Sequence, residues 1–158
     1  ALMKNKGQII ALDIYGWKLT ELKRRAKRAG AHNIEARLIS DNKVIKRLHG
    51  TADRLLIDSP CSGLGVLKRN PDSKWKIDQA FIDRIKGEQQ TILQDYSKIL
   101  KKGGQMIYAT CSILPSENDE QVKTFLENNP DYTLIKDQKI MPSEGYDGFY
   151  MALIKRNA

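Results

Sequence analysis

The chain has 158 residues, a length that fits one domain with a sizeable hydrophobic core, and a formal net charge of +8 at pH 7. This excess of positive charge favours a polyanionic partner, with nucleic acid ahead of a membrane surface. No apolar run approaches the roughly 18 residues that a membrane-spanning helix needs, and no signal-peptide pattern opens the chain, so we expect a soluble, cytoplasmic protein.

The first 50 residues alternate between strand and helix patterns. Residues 8–14 form an apolar run that ends near an acid, which is typical of a buried strand in a parallel sheet. Residues 16–30 place apolar side chains at helical spacing within a strongly basic segment and predict a surface helix. Residues 34–40 alternate like a strand near a sheet edge, and residues 44–48 form a short amphipathic piece.

Two apolar runs that end in cysteine organise the rest of the chain. Residues 52–61 end in an acid, a proline and Cys61, and their continuous apolar stretch predicts a strand covered on both faces. Residues 105–112 form a second run of this kind, which ends at Cys111. Because open α/β sheets bind ligands beyond the carboxyl ends of their strands, we expect both cysteines at a functional edge.

A loop and a long helix lie between these two runs. Residues 62–75 are rich in glycine and positive charge, and so long a loop is usually functional. The apolar spacing that follows predicts a helix capped by Asp78, which extends through Lys101 and is ended by a pair of glycines.

The C-terminal part predicts one more helix and a hairpin. The helix begins at Pro115, and residues 132–140 and 149–156 are interpreted as the two strands of an antiparallel terminal hairpin. The alternation along the chain predicts a single α/β domain over residues 1–158, with a mostly parallel sheet and helices on both faces.

The two cysteines are the first candidates for chemistry. A chain of this size needs no disulfide, so we interpret both thiols as free. A cysteine beside a proline at a strand end suits nucleophilic attack, because its thiol stays partly exposed and neighbouring groups can lower its pKa. A cysteine that merely fills core space is the alternative.

Three aspartates, Asp13, Asp41 and Asp58, end or follow predicted strands. A carboxylate in such a position can accept hydrogen bonds from both hydroxyls of a ribose, although it can also simply cap the next helix. The two histidines, His32 and His49, lack metal-ligand spacing to the cysteines, so no metal site is predicted.

The loop after Cys61 carries a candidate nucleic-acid site. Its cations could hold a phosphate backbone while its aromatic ring stacks on a base, as in sites for single-stranded nucleic acid. A solvated charged loop is the alternative. The residues concerned are Lys68, Arg69, Lys74 and Trp75.

Several short motifs follow one another in a fixed order. They are DSPCSGLG at 58–65, RNPDSKW at 69–75, YATCS at 108–112, PSEN at 115–118 and DGFY at 147–150. In this order they resemble the motifs of the Sun-type RNA (cytosine-5)-methyltransferases, and the resemblance extends from about Gln8 to Lys155. The pair of cysteine motifs separates that family from DNA cytosine methyltransferases.

The resemblance implies a Rossmann-like, S-adenosylmethionine-dependent methyltransferase that acts on cytosine carbon 5 in ribosomal or transfer RNA. Cys111 would be the nucleophile, and Cys61 would assist product release. Asp13 would bind the ribose of the cofactor and Asp41 would lie near its adenine. Asp58 would lie between cofactor and cytosine, and Pro60 would also contribute to the cofactor site.

The family's first strand, its glycine-rich loop and its amino-terminal RNA-binding part would all precede residue 1. We therefore expect the chain to be the carboxy-terminal portion of a catalytic domain, with the missing part of the same protein as its partner. Alone, this portion is expected to be inactive. A non-catalytic RNA-binding fragment and a DNA cytosine methyltransferase are the alternatives.

Overall fold

The computed structural model describes residues 2–158 and forms two compact units. The amino-terminal unit comprises Ala1–Arg47, and the carboxy-terminal unit comprises Leu48–Ala158. No helix among the described residues is both long and apolar enough to cross a membrane.

The amino-terminal unit is a two-stranded parallel sheet with one long helix. Its elements are β1 (Ile9–Asp13), α1 (Gly16–Arg28), β2 (Ile34–Leu38) and the short α2 (Asn42–Lys46). Three basic residues in the last turn of α1 stabilise the negative end of its dipole. The side chains of β1 are exposed or half-buried, so the prediction of a fully buried strand is wrong at this position.

The carboxy-terminal unit contains a four-stranded mixed sheet. Its order is β3-β4-β6-β5, with β3 and β4 parallel and the other neighbours antiparallel. The predicted terminal hairpin is confirmed, and its two strands have the predicted bounds. The elements are β3 (Ala52–Asp58), α3 (Ser73–Lys76), α4 (Gln79–Tyr96), β4 (Leu100–Thr110), α5 (Asp119–Asn128), β5 (Tyr132–Ile140) and β6 (Phe149–Arg156).

The core of this unit lies between one face of the sheet and the helices α4 and α5. Alternate residues of β4 and β6 point into it, as expected for strands with one packed face. Ile57 of β3 is buried in it, whereas its neighbour Leu56 is 67% exposed. The prediction that β3 is covered on both faces is therefore wrong for the Leu56 side. The fully buried members include Leu93, Leu100, Met106, Tyr108, Phe125, Tyr150, Ala152 and Ile154.

The predicted helix through Lys101 ends five residues earlier, at Tyr96. A turn of 3-10 helix follows, and Leu100 already has extended backbone and begins β4. The paired glycines do not stop a helix. Gly103 has a φ of +76°, and residues 101–104 bulge out of the ladder, because Ala52 pairs with Leu100 while Arg54 pairs with Gln105.

The predicted loop after Cys61 contains regular structure. Leu64–Val66 forms a 3-10 turn and Ser73–Lys76 forms α3. The segment therefore presents its side chains from short helical turns, not from a continuous irregular loop.

Candidate active site

The parallel pairing of β3 and β4 brings the two cysteines together. Asp58 and Ala109 are paired at the ends of these strands, and each chain then turns out of the sheet. The Sγ atoms of Cys61 and Cys111 lie 3.2 Å apart, and both cysteines are free and partly buried. At this distance one sulfur can donate its hydrogen to the other.

The contact between the sulfurs separates the acidities of the two thiols. A hydrogen bond from Cys61 lowers the pKa of Cys111 to about 7, with its own backbone N–H acting in the same direction, while burial and the charges of Asp58 and Glu117 oppose this shift. The ionised Cys111 sulfur, together with burial, raises the pKa of Cys61 far above its ordinary value. Cys111 is therefore the more acidic thiol of the pair, and Cys61 is the thiol that donates the hydrogen bond.

A buried carboxyl group lies behind the two cysteines. Glu117 is completely inaccessible to solvent and accepts hydrogen bonds from the serine that follows each cysteine. Ser62 donates through its backbone N–H at 2.7 Å and its hydroxyl at 2.5 Å, and the Ser112 hydroxyl donates to the same oxygen as the Ser62 hydroxyl.

The turn after Cys111 is fixed by further buried hydrogen bonds. Asn118 accepts from the Thr110 hydroxyl at 2.5 Å and donates to the Ser112 carbonyl at 3.0 Å. The Tyr108 hydroxyl donates to the Glu117 carbonyl at 2.9 Å, and burial raises the pKa of Tyr108. These contacts hold the PSEN segment against the end of β4.

Two glycines let three segments meet beside Cys111. The Gly65 N–H donates to the Cys111 carbonyl at 2.9 Å, and the Gly148 N–H donates to the Gly65 carbonyl at 2.8 Å. A Cβ atom on Gly65 would lie 2.2 Å from the Gly148 oxygen, and one on Gly148 would lie 2.8 Å from the Gly65 Cα. Only glycine allows this approach, so the DSPCSGLG and DGFY motifs meet through their backbones.

The proposed RNA-binding side chains lie on the turns that follow Gly65. Trp75 is 81% exposed, and the Lys74 ammonium lies 4.8 Å from its ring centroid. Lys68 is exposed, whereas the Arg69 guanidinium forms an ion pair at 2.8 Å with Asp147. Lys68, Lys74 and Trp75 are thus available to a ligand, while Arg69 also ties its turn to the DGFY motif.

The candidate cofactor residues fall in both units. Asp58 and Pro60 are exposed in the carboxy-terminal unit, next to the cysteines in sequence. In the amino-terminal unit, Asp13 accepts the Tyr15 N–H at 2.8 Å through one oxygen, while its other oxygen lies 3.6 Å from the Lys18 ammonium. That second oxygen retains a lone pair that can accept a hydrogen bond from a hydroxyl donor.

Asp41 caps the helix that follows it, which is one of the two roles that its position in the sequence allows. One of its oxygens accepts the Lys43 N–H at 2.7 Å, so Asp41 caps α2. Within residues 2–158, no cluster of three or more histidine, cysteine or acidic side chains could hold a metal ion.

Sequence reasoning missed Glu117 and its partners as site residues. Glu117 lies in the PSEN motif, but an acid two residues after a proline and close to Asp119 and Glu120 gives no indication of burial. A signal was present in the repeated Cys-Ser dipeptide, at residues 61–62 and 111–112. Two serines in equivalent positions after two strand ends could have pointed to a shared acceptor.

Comparisons with known proteins agree with the motifs. A family model described as 16S rRNA methyltransferase RsmB/F matches residues 1–155. A probable ribosomal RNA small subunit methyltransferase B from Bacillus subtilis (strain 168) is 36% identical over 132 residues, covering 83% of this chain and 30% of that protein. The ribosomal RNA small subunit methyltransferase B of Yersinia enterocolitica is 37% identical over 162 residues, covering 96% of this chain and 37% of that protein.

A solved structure shows the same fold. The crystal structure of NSun6 from Pyrococcus horikoshii with SFG superposes with a TM-score of 0.87 at 26% identity. The match covers 99% of this chain and 43% of that one. The chain spans 30% and 37% of the length of the two curated relatives described above.

Proposed function

Because the chain belongs to the RsmB/F family of S-adenosylmethionine-dependent RNA methyltransferases, we propose that it contributes the catalytic cysteines of an enzyme that methylates cytosine carbon 5 in RNA. The observation that carries this proposal is the contact of 3.2 Å between Cys61 and Cys111, in which only Cys111 has a lowered pKa. The names of the relatives make ribosomal RNA the proposed substrate.

The proposed chemistry begins with the Cys111 thiolate. Carbon 5 of cytosine is a poor nucleophile until sulfur adds to carbon 6, which moves the ring electrons towards carbon 5. A thiolate with a pKa of about 7 is both abundant and nucleophilic at neutral pH. Asp58, exposed at the end of β3, would interact with the amino edge of the base and favour this movement of electrons.

S-adenosylmethionine supplies the methyl group when it is bound. Asp13 would hold its ribose and Asp41 would lie near its adenine, while Asp58 and Pro60 would line the reacting end. For Asp13 the free lone pair on its second oxygen supports this role. The cap that Asp41 provides to α2 leaves its other oxygen for a ligand.

Product release would use the second thiol. Once the Cys111 sulfur is bonded to carbon 6 it is no longer an anion, so the interaction that raises the pKa of Cys61 most is removed. Cys61 can then release its proton to solvent and, as the thiolate, accept the carbon 5 proton. The electrons of that carbon–hydrogen bond restore the ring double bond, and the bond between carbon 6 and the Cys111 sulfur breaks to return the thiolate.

RNA would be held by the turns that carry Lys68, Lys74 and Trp75. Two cations and one exposed ring would provide phosphate contacts and a stacking surface on the turns that follow Gly65, whose N–H is hydrogen-bonded to the Cys111 carbonyl. We propose that both compact units belong to one catalytic domain.

The test is methyl transfer by the full-length protein that carries this chain, with S-adenosylmethionine and ribosomal RNA. Nucleoside mass spectrometry should show 5-methylcytosine in the RNA. RNA binding without any methylated product would instead indicate a non-catalytic binding protein, and 5-methylcytosine formed on duplex DNA in preference to RNA would indicate a DNA methyltransferase.

A further inference from the structure

One buried carboxyl group connects the backbone segments of both cysteines. Each cysteine is followed by a serine, and Ser62 and Ser112 both donate a hydroxyl hydrogen to the same oxygen of Glu117. The other oxygen accepts the Ser62 N–H at 2.7 Å. The two turns that carry Cys61 and Cys111 are thus joined through a single side chain.

A second contact restrains the other side of Cys61. Gln89, fully buried on α4, donates its amide hydrogens to the Pro60 carbonyl at 2.9 Å and to Glu117 at 3.3 Å. The residues immediately before and after Cys61 are therefore both held, one by Gln89 and one by Glu117. Such a double restraint limits the movement of the thiol between them.

The carboxyl group itself has a fixed position. The backbone carbonyl of Glu117 accepts a hydrogen bond from the Tyr108 hydroxyl at 2.9 Å. The next residue, Asn118, accepts one from the Thr110 hydroxyl at 2.5 Å. The groups that donate hydrogen bonds to the carboxyl group are neutral. A group that is buried and surrounded in this way acts as a rigid acceptor, not as a mobile charge.

We propose that Glu117 is a positioning residue that holds the Cys61 thiol within hydrogen-bonding distance of the Cys111 sulfur. The catalytic role of this positioning rests on the proposed function. The contact between the Cys61 and Cys111 sulfurs does not, because it is a property of the folded chain. The hydrogen bonds of the Glu117 carboxyl group go to Ser62, Ser112 and Gln89 and not to either sulfur, so it acts through the two serines.

The proposal separates two effects of the same side chain. The charge of Glu117 disfavours ionisation of Cys111, whereas the hydrogen bonds of Glu117 keep Cys61 in place to favour it. Glu117→Gln removes the charge, yet its amide oxygen can still accept the Ser62 N–H and its amide nitrogen can still donate to the hydroxyls. Glu117→Ala removes the charge and the connection together.

The experiment measures the alkylation of Cys111 by iodoacetamide against pH, in the full-length protein, with peptide mass spectrometry to read each cysteine separately. In the unaltered protein the midpoint should lie at about pH 7. Glu117→Gln should leave the midpoint unchanged or lower it. Glu117→Ala should raise it towards the ordinary thiol value of about 8.5, which lowers the rate at pH 7 by roughly tenfold.

Gln121→Ala is the control for a general loss of stability. Gln121 is buried on α5, the helix that follows Glu117, and its side chain is hydrogen-bonded to Ser116 and Gln90, not to the serines that follow the cysteines. This variant should keep the midpoint near 7. If Glu117→Ala does not fold, Ser62→Ala provides the second route, because it removes one hydroxyl arm and leaves Glu117 in place. It should raise the midpoint in the same direction.

The proposal is overturned if Glu117→Ala keeps the midpoint at about 7, or if the Ala and Gln variants lower it equally, since Glu117 would then act by charge alone. No RNA or cofactor enters this measurement, so its outcome is independent of whether the protein methylates RNA. With an active enzyme, Glu117→Ala should also slow the release of the covalent RNA adduct severalfold, because Cys61 is no longer held at the site of product release.

Discussion

The Sγ atoms of Cys61 and Cys111 lie 3.2 Å apart, although 50 residues separate the two cysteines in the chain. They lie just beyond the ends of neighbouring parallel strands, and the contact makes Cys111 the more acidic thiol and Cys61 the hydrogen-bond donor. The proposed division of labour between the two cysteines follows from this asymmetry.

Replacing each cysteine by serine should therefore produce different defects in the full-length enzyme. Cys111→Ser should abolish the covalent complex with RNA that contains 5-fluorocytosine, because no thiolate can add to carbon 6. Cys61→Ser should let the adduct with ordinary RNA persist. Denaturing gel electrophoresis of labelled RNA reads both outcomes. Trapping that survives Cys111→Ser and is lost in Cys61→Ser would reverse the assignment.

The reactivity of Cys111 should depend on pH with a midpoint near 7. The thiolate predominates above this pH and is protonated below it, so the rate of alkylation should fall about fivefold between pH 7 and pH 6. Cys61 should react slowly throughout this range. Cys61→Ala removes the hydrogen-bond donor and should raise the midpoint for Cys111; an unchanged midpoint would show that Cys61 does not lower it.

The positively charged turns after Cys61 should contribute to RNA affinity through counterion release. Alanine at Lys68, Arg69 and Lys74 should reduce the slope of log affinity against log salt by up to roughly 2, at about 0.7 per lost phosphate contact. Arg69 should contribute least, because it is already paired with Asp147.

A control with the same change in charge uses three other exposed lysines, each paired with an acid outside these turns. Fluorescence anisotropy at several salt concentrations gives both slopes. Equal slopes for the two triple variants would mean that the turns have no special role in binding. The control positions are Lys98, Lys101 and Lys123.

Gly65 should tolerate no side chain. Its Cβ would lie 2.2 Å from the Gly148 oxygen, so Gly65→Ala should destabilise the chain by about 1–3 kcal/mol through overpacking against backbone. Gly87→Ala is the matched control, because Gly87 is helical and has open space around its Cβ position. It should stabilise by roughly 0.5–1 kcal/mol. Urea unfolding measures both, and equal effects would contradict the packing argument.

The 158-residue chain alone should bind S-adenosylmethionine very weakly and transfer no methyl group. In residues 2–158, β1 is hydrogen-bonded only to β2 and β3 only to β4, which leaves one unpaired edge on each strand. Strands with an unpaired edge tend to fray. Because Asp13 and Asp58 lie at the ends of β1 and β3, fraying of these strands would displace both carboxylates. Isothermal titration calorimetry is the measurement; micromolar affinity would contradict this expectation.

The sequence by itself predicted the features that depend on local pattern. The hairpin of β5 and β6, the helix α1 and the strands that end near Asp58 and Cys111 follow from the spacing of apolar residues and from turn residues. The ordered motifs identified the family. These features are encoded within short stretches, because strand and helix periodicities and turn conformations depend on neighbouring residues.

Only the tertiary structure decided where α4 ends and how the site is held together. Ile99 and Leu100 would be buried both in a longer helix and at the start of β4, so the spacing of apolar residues could not distinguish the two. The pairing of Ala52 with Leu100 shows that β4 begins there. Glu117 owes its place to Ser62, 55 residues away in the chain. A contact of this kind exists only after β3 and β4 have paired, because it is the sheet register that brings the two turns within reach of one carboxyl group.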